Sequence, residues 1–473
     1  MNFQHTSVKF STSNQMNQKQ FDTAQEKSKQ NLKDFCGRKV LIEGGGYHKI
    51  WLETQPMGGE MYAKRDMEAA ANNILLFMEH QRADGRIPGS ITVDNGKLLP
   101  QFDKFQGFCF PAPALNLYYW LGEDHEYLQQ LYLCLEKFDS YLWKTRSSSP
   151  DNCLETWCVY DTGEDNGTRF EDAPRWWDKE VPPEGFRVVP IRSMDITSFS
   201  FSARNTLAQI SVILKNGKVA EWEQKANHVR SLMRKHLWSE DRGACFDIDK
   251  NGNTMPALIH NTLRCMYWES ISQDMADRFV SEHLLNPAEF WTPMPLPSVA
   301  ANDPQFRNCD DNDWSGQAQG LTYQRALRAL DQYGWRHLLP QLAEKLFHAI
   351  GSDCLFTQQF DPFTGKPSGT KDGYGPTMLS VLEYTAWLQG IHLEGREIWW
   401  GACGGFTDGR TAGDETDYTQ IRGDKIYRIC SNGKKAEGFY NGKKVFDVDC
   451  GIRVITDYEG NILKTVSYTD SKS

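Results

Sequence analysis

The stretch Leu128-Gln129-Gln130-Leu131-Tyr132-Leu133-Cys134-Leu135-Glu136-Lys137-Phe138-Asp139-Ser140-Tyr141-Leu142 puts Leu128, Leu131, Leu135, Phe138 and Leu142 at steps of three and four residues. An α-helix turns once every 3.6 residues, so these five apolar side chains share one helix face. The same period recurs at Ser202–Leu214, Ala220–Leu237, Gln319–Tyr333, Leu338–Ile350 and Thr377–Leu388. Connections rich in Gly, Pro and Asp separate these stretches: Ala83–Gly89, Thr162–Pro174, Pro293–Trp314 and Asp361–Gly375. Successive helices joined by alternating short and long loops suit a closed ring of helical hairpins, with the long loops gathered at one end to form a site. A solenoid would carry a fixed sequence repeat, and there is none. The expected fold is therefore mainly α, an (α/α)6 toroid.

Beyond Trp400 the period changes. Lys425–Cys430, Ala436–Tyr440, Lys444–Val448, Ile452–Thr456 and Ile462–Tyr468 read as short strands. The turns between them carry Asn432-Gly433, Asn441-Gly442 and Glu459-Gly460-Asn461. Asn-Gly supplies the positive φ values of tight hairpins, so this end is a small antiparallel β module. The expected divisions are a polar N-terminal segment at 1–46, a helical barrel at 47–398 and the β module at 399–473.

Composition narrows the function classes. Hydrophobic residues make up 40% and charged residues 24%, which supports a packed core. The formal net charge of -10 argues against nucleic acid, whose affinity rests on Lys and Arg neutralising phosphates. No apolar run reaches the length of a membrane span, and residues 1–34 hold no apolar leader core, so the expected compartment is the cytoplasm. The 12 Cys form no CxxC pair and the 11 His no metal spacing, so no metal and no cofactor is expected. The 15 Trp fill helical cores for the most part; some are available to stack on sugar rings. Oligomeric state is not legible.

The chemistry concentrates in Asp161-Thr162-Gly163-Glu164-Asp165-Asn166-Gly167-Thr168-Arg169-Phe170, which sets carboxyl groups beside a cation in a turn-forming loop. Thr162–Arg169 resembles the loop carrying the general acid in inverting α-glycosidases of the trehalase, glycoside hydrolase family 63 and mannosylglycerate hydrolase-like group. Asp165 falls at the acid position, Arg169 at a sugar-binding one, and Glu164 replaces a Trp. Further segments resemble the group in the same order: Trp51-Leu52-Glu53-Thr54-Gln55, with Glu53 in place of Asp; Gln81–Pro88; Phe110-Pro111-Ala112; Phe290–Pro293; and Asp313-Trp314-Ser315-Gly316-Gln317. The resemblance spans about 50–400 and excludes the β module. It implies an exo-acting, inverting glycoside hydrolase acting on a small α-linked oligosaccharide or glycoside. Glu53, Gln55, Arg169, Trp177, Asp313, Trp314 and Gln317 would bind the sugar.

An inverting hydrolase needs a second carboxylate to activate water. Relatives carry a Glu before an Asp-Pro-x-Thr-Gly-like turn; this chain has Gln358-Gln359-Phe360-Asp361-Pro362-Phe363-Thr364-Gly365, which places Gln358 at the base position. An amide oxygen cannot take the proton. Three explanations follow: another carboxylate serves, with Glu53, Asp313 and Glu164 as candidates; the reaction differs from simple hydrolysis; or the protein binds carbohydrate without hydrolysing it. A sugar isomerase using His260 and His348 is a further alternative.

Overall fold

The computed structural model describes residues 3–107, 110–405 and 413–468; the remaining parts of the expected N-terminal segment and β module lie outside the described residues. Twelve α-helices occur among them: α1 (Gln15–Gln30), α2 (Gln55–Tyr62), α3 (Met67–Glu79), α4 (Pro111–Trp120), α5 (His125–Thr145), α6 (Met194–Leu214), α7 (Val219–Leu232), α8 (Asn261–Tyr267), α9 (Gln273–Phe279), α10 (Gly320–Gln332), α11 (Leu339–Ile350) and α12 (Gly375–Gln389). The stretch around Leu128 is α5. It starts at Asp124, whose carboxylate accepts from the Tyr127 N–H at 3.0 Å, and it buries Leu128, Leu131, Leu135, Phe138 and Leu142. Pro residues open α2, α4, α11 and α12, where a missing N–H costs nothing.

The packing has a simple order. Helix α2 contacts α4, α4 contacts α6, α6 contacts α8, α8 contacts α10, α10 contacts α12, and α12 returns to α2. Outside this cycle α2 packs on α3, α4 on α3 and α5, α6 on α5 and α7, α8 on α9, α10 on α11, and α12 on α11 and α1. Every residue of α12 is buried, as expected of a helix enclosed on all sides.

The expected polar N-terminal segment is part of this body. Helix α1 is the partner of α12, and it reads as polar because its buried face is half polar: Gln20, Phe21, Ala24 and Ser28. The Gln20 side-chain amide donates to the Phe347 and Gly351 carbonyls at 2.7 and 3.0 Å, capping the end of α11. Before it, strand Thr6–Thr12 pairs antiparallel with Thr416–Arg422.

That pairing makes the N-terminus the edge of a five-stranded antiparallel sheet, continued by Lys425–Ser431, Lys435–Tyr440 and Lys443–Asp449. A second, four-stranded sheet joins Ile391–Glu394, Glu397–Ala402, Ile452–Thr456 and Ile462–Ser467. The β region therefore starts at Ile391 rather than 399 and borrows a strand from the other end of the chain. Asn441 and Gly442, at φ 46° and 80°, make the two-residue hairpin read from the sequence. Trp399 and Trp400 point to opposite faces, as neighbours in a strand do. Trp399 meets Trp387 of α12 at 5.2 Å between ring centroids, while Trp400 packs edge-on against Tyr427 and Phe446 of the other sheet. Together they seal the helical body to the sheets. Among the described residues no helix is long and apolar enough to cross a membrane.

Candidate active site

A cavity of about 310 Å³ opens at one end of the helical body. Its lining comes from loops that precede the helices of the closed cycle. Glu43, Tyr47, Trp51 and Glu53 lie before α2; Lys104 and Gln106 before α4; Tyr160, Gly163, Asp165 and Arg175 before α6; Asn312 and Trp314 before α10; Gln358 and Tyr374 before α12. Leu321, in the first turn of α10, completes it. Four residues singled out from sequence meet here: Glu53, Asp165, Trp314 and Gln358.

Asp165 is fixed from both sides. Its backbone carbonyl accepts from the Trp314 N–H at 3.1 Å, and its Oδ2 accepts from Asn312 Nδ2 at 3.0 Å. Burial pushes its carboxyl up to about 6, against the pull of the Asn312 hydrogen bond and the charges of Lys104 and Arg175. Glu53 is also raised by burial to about 6; Arg325, 3.3 Å from Oε1, and Arg264 moderate the shift. The left-handed Gly163 passes directly over it: a Cβ there would fall 2.0 Å from the Glu53 carboxyl. Glu43 is a third carboxyl in the same cavity. Burial and the neighbouring Glu53 push it well above the usual range, although Tyr374 donates a hydrogen bond to it.

Gln358 is tied at both ends. Its Oε1 accepts from the Tyr47 hydroxyl at 2.9 Å, and its Nε2 donates to Asn312 Oδ1 at 2.6 Å. The pairing of Gln359–Phe360 with Ala318–Gln319 holds this segment beside the Asn312 loop.

Other expected sugar contacts lie elsewhere. Arg169 does not line this cavity; it is buried among Glu164 at 2.6 Å, Asp247 at 2.5 Å and Asp195, in an ion cluster beneath it. Glu164, named as a candidate base, belongs to the same cluster. Burial opposes its charge, but Arg169, Arg264 and His260 outweigh that and hold it well below the ordinary carboxylate range. Gln55 is buried in the first turn of α2 and donates to the Leu41 carbonyl at 3.2 Å. Asp313 faces Arg307 at 3.5 Å, and Gln317 donates to Asn308 at 2.9 Å. Trp177, two residues beyond Arg175, does not line the cavity and donates to the Val181 carbonyl at 2.7 Å. His260 lies under Trp314, whereas His348 is exposed on α11, so the two do not form an acid–base pair.

Sequence reasoning missed Glu43, Tyr47, Lys104, Gln106, Tyr160, Asn312 and Tyr374. The run Gly44-Gly45-Gly46 between Glu43 and Tyr47 was the available signal. All three glycines take positive φ, and a Cβ on Gly44 would fall 2.3 Å from the Gly373 carbonyl, so only glycine lets this loop lie against the segment just before α12.

A cavity holding three carboxyls of raised proton affinity, aromatic walls and amide groups has the chemistry that a glycosidase requires. The family model for the mannosylglycerate hydrolase MGH1-like glycoside hydrolase domain matches residues 61–375, well over half of the chain. The chain belongs to that family. No curated protein matches it. Among solved structures it is similar to the GH63 mannosylglycerate hydrolase from Thermus thermophilus in complex with Tris, at 17% identity and a TM-score of 0.63, over 77% of this chain and 99% of that one. The same enzyme in complex with Tris and D-glycerate gives a TM-score of 0.61, also at 17% identity and over the same shares. Neutral trehalase Nth1 from Saccharomyces cerevisiae is similar at 13% identity and a TM-score of 0.58, over 74% of each chain. A protein described as a sialidase reaches a TM-score of 0.72 at 14% identity, over 95% of this chain and 41% of that one. At these identities the structural likenesses establish the fold.

Proposed function

We propose that this glycosidase is an exo-acting, inverting enzyme on an (α/α)6 toroid, which removes a sugar from a small α-linked oligosaccharide or glycoside with Asp165 as general acid. The closed cycle from α2 round to α12, with an outer partner for each helix, supports the toroid. The observation that carries the reaction is the Asp165 carboxyl: buried, raised to about 6, with Oδ2 occupied by Asn312. Oδ1 is then the atom that holds the proton for the leaving oxygen. Of the carboxylates named from sequence as bases, Glu53 alone lines the cavity. It takes a proton from water, the water attacks the anomeric carbon, and Asp165 protonates the departing oxygen, so the product inverts. A cavity of about 310 Å³ is at the small end for ligand sites and suits a small substrate.

The leaving group is acidic in this reading. Lys104 and Arg175 converge on Tyr160, with the ammonium 4.0 Å from its ring centroid and the guanidinium donating to its hydroxyl at 3.1 Å. Both charges act on Asp165, the residue that meets the leaving oxygen. The D-glycerate in the solved mannosylglycerate hydrolase complex is an acid of this kind.

The test is product analysis by proton NMR on a panel of α-linked glycosides that includes mannosylglycerate, together with α-glycosyl fluorides. Fluoride leaves without a proton, so Asp165→Asn retains turnover of the fluoride and loses that of the glycoside, whereas Glu53→Gln loses both. Retention of configuration, or full glycoside turnover by Asp165→Asn, overturns the assignment.

Gln358 favours one second reading, a carbohydrate-binding protein that does not hydrolyse. Wild-type protein that binds sugars from the panel, leaves them intact and is unaffected by Asp165→Asn would establish it.

A further inference from the structure

Gln358 occupies a position where a base is expected, yet both ends of its amide are engaged. The Tyr47 hydroxyl donates to Oε1 at 2.9 Å, and Nε2 is turned toward Asn312. Nε2 donates to Asn312 Oδ1 at 2.6 Å, and the Asn312 Nδ2 is turned toward Asp165. Nδ2 donates to Asp165 Oδ2 at 3.0 Å. Each amide has one donor end and one acceptor end, so the ionised Asp165 carboxylate, which can only accept, sets the direction of the whole line as far as Tyr47, whose hydroxyl suits either sense.

We infer that Gln358 is a positioning residue: through Asn312 it holds a hydrogen-bond donor on Asp165 Oδ2 and so sets where, and at what pH, the acid carries its proton. This deepens the role of Asp165 proposed above and rests on it. A donor on Oδ2 favours the ionised carboxylate and leaves Oδ1 as the proton-bearing atom. A Glu at 358 could not serve the same line, because its carboxylate has no donor for Asn312 Oδ1. The Asn312 amide would turn over to donate to it and present its oxygen to Asp165, which could then make that contact only when protonated.

The test uses the full chain with Gln358→Met, which keeps length and removes both polar ends, and Asn312→Gly, chosen because Asn312 has φ 44° and glycine accepts that backbone. Two readouts are taken. One is the pH profile of kcat/KM on the glycosides that wild type turns over. The other is the carboxyl titration of ligand-free protein by infrared difference, each variant measured against its own Asp165→Asn counterpart. Loss of a hydrogen bond to a charged group is expected to raise the Asp165 titration by about one pH unit, with the alkaline limb of activity following. The double variant should shift no further than Asn312→Gly alone, because both changes cut one line. An unmoved titration in Gln358→Met, or additive shifts, overturns the inference. The two failures separate cleanly. A wild type without turnover sinks the acid role while the titration still tests the link; activity that depends on Asp165 with an unmoved titration sinks only the link.

Discussion

Replacing Asp165 with Asn should make the protein worse at catalysis and more stable, and the stability gain should depend on pH. The carboxyl has moved from an ordinary 3.8 to about 6 because it is buried. A group whose proton is held more tightly in the native state than in the unfolded chain favours folding at low pH. That advantage is lost as pH rises from about 4 through about 6, and above this range the native state must carry a buried charge. At 1.36 kcal/mol per pH unit the full cost is roughly 3 kcal/mol. An Asn side chain carries no charge, and its oxygen can still accept from Asn312, so most of that cost should disappear. We therefore expect Asp165→Asn to be about 2–3 kcal/mol more stable than wild type at pH 8 and only about 1 kcal/mol more stable at pH 4.5. Denaturant unfolding at the two pH values reads this directly, and glycoside turnover should fall roughly 10²–10⁴-fold in the same variant. A gain of the same size at both pH values, or no gain at pH 8, would refute the claim that burial sets the proton affinity of Asp165.

Arg169→Met should cost about 3–5 kcal/mol at pH 7 by stranding Glu164, Asp195 and Asp247; unchanged stability with a raised KM would return Arg169 to sugar binding. Gly163→Ala forces a Cβ into the Glu53 carboxyl at a φ of 67°, so a loss of at least ~1–3 kcal/mol together with most activity is expected in unfolding and turnover assays. Gln20→Ala strips two backbone acceptors of their donor and should lower stability by about 1–3 kcal/mol in denaturant. No change there would show that α1 adds nothing to the helical body. Glycoside hydrolysis by wild type should decline above pH ~6, as the Asp165 proton is lost.

The helices were legible where apolar spacing is dense. The pattern from Leu338 to Ile350 names α11 almost to the residue, and the Asn-Gly turn at 441–442 fixes a hairpin by its own stereochemistry. Helix α1 escaped because a helix that caps its neighbour through Gln20 does not need an apolar residue at that place. Strand Thr6–Thr12 escaped because its partner, Thr416–Arg422, lies at the far end of the chain, and seven alternating residues do not say what they pair with. The site divides in the same way. Asp165 stood out through its loop, whereas Arg169 looked like a sugar clamp because a sequence shows a charge and not its counter-charges. Asp195 and Asp247, which neutralise it, come from the N-terminus of α6 and a loop more than fifty residues further on.

Gln358 is best understood through the charge of the cavity it faces. Glu43, Glu53 and Asp165 already line this space, and two of the three raise the proton affinity of the third: Glu43 is pushed up by Glu53 and Asp165 as well as by burial. A fourth carboxylate at 358 would lie beside Tyr47, whose own hydroxyl is already shifted upward by burial and by Glu43, Asp165 and Glu53. Each added negative charge in a desolvated space makes the others harder to ionise. A base must be ionised to work, so a carboxylate there would hinder Glu53 as well as itself. An amide of the same size avoids that repulsion, satisfies the Tyr47 hydroxyl and supplies the donor that Asn312 requires. On this argument the Gln is matched to the presence of Glu43, and the two should be exchanged together. Gln358→Glu alone should lose activity, while Gln358→Glu combined with Glu43→Gln should recover part of it. If the single change is the more active of the two, the carboxyls of this cavity do not compete for charge and the argument fails.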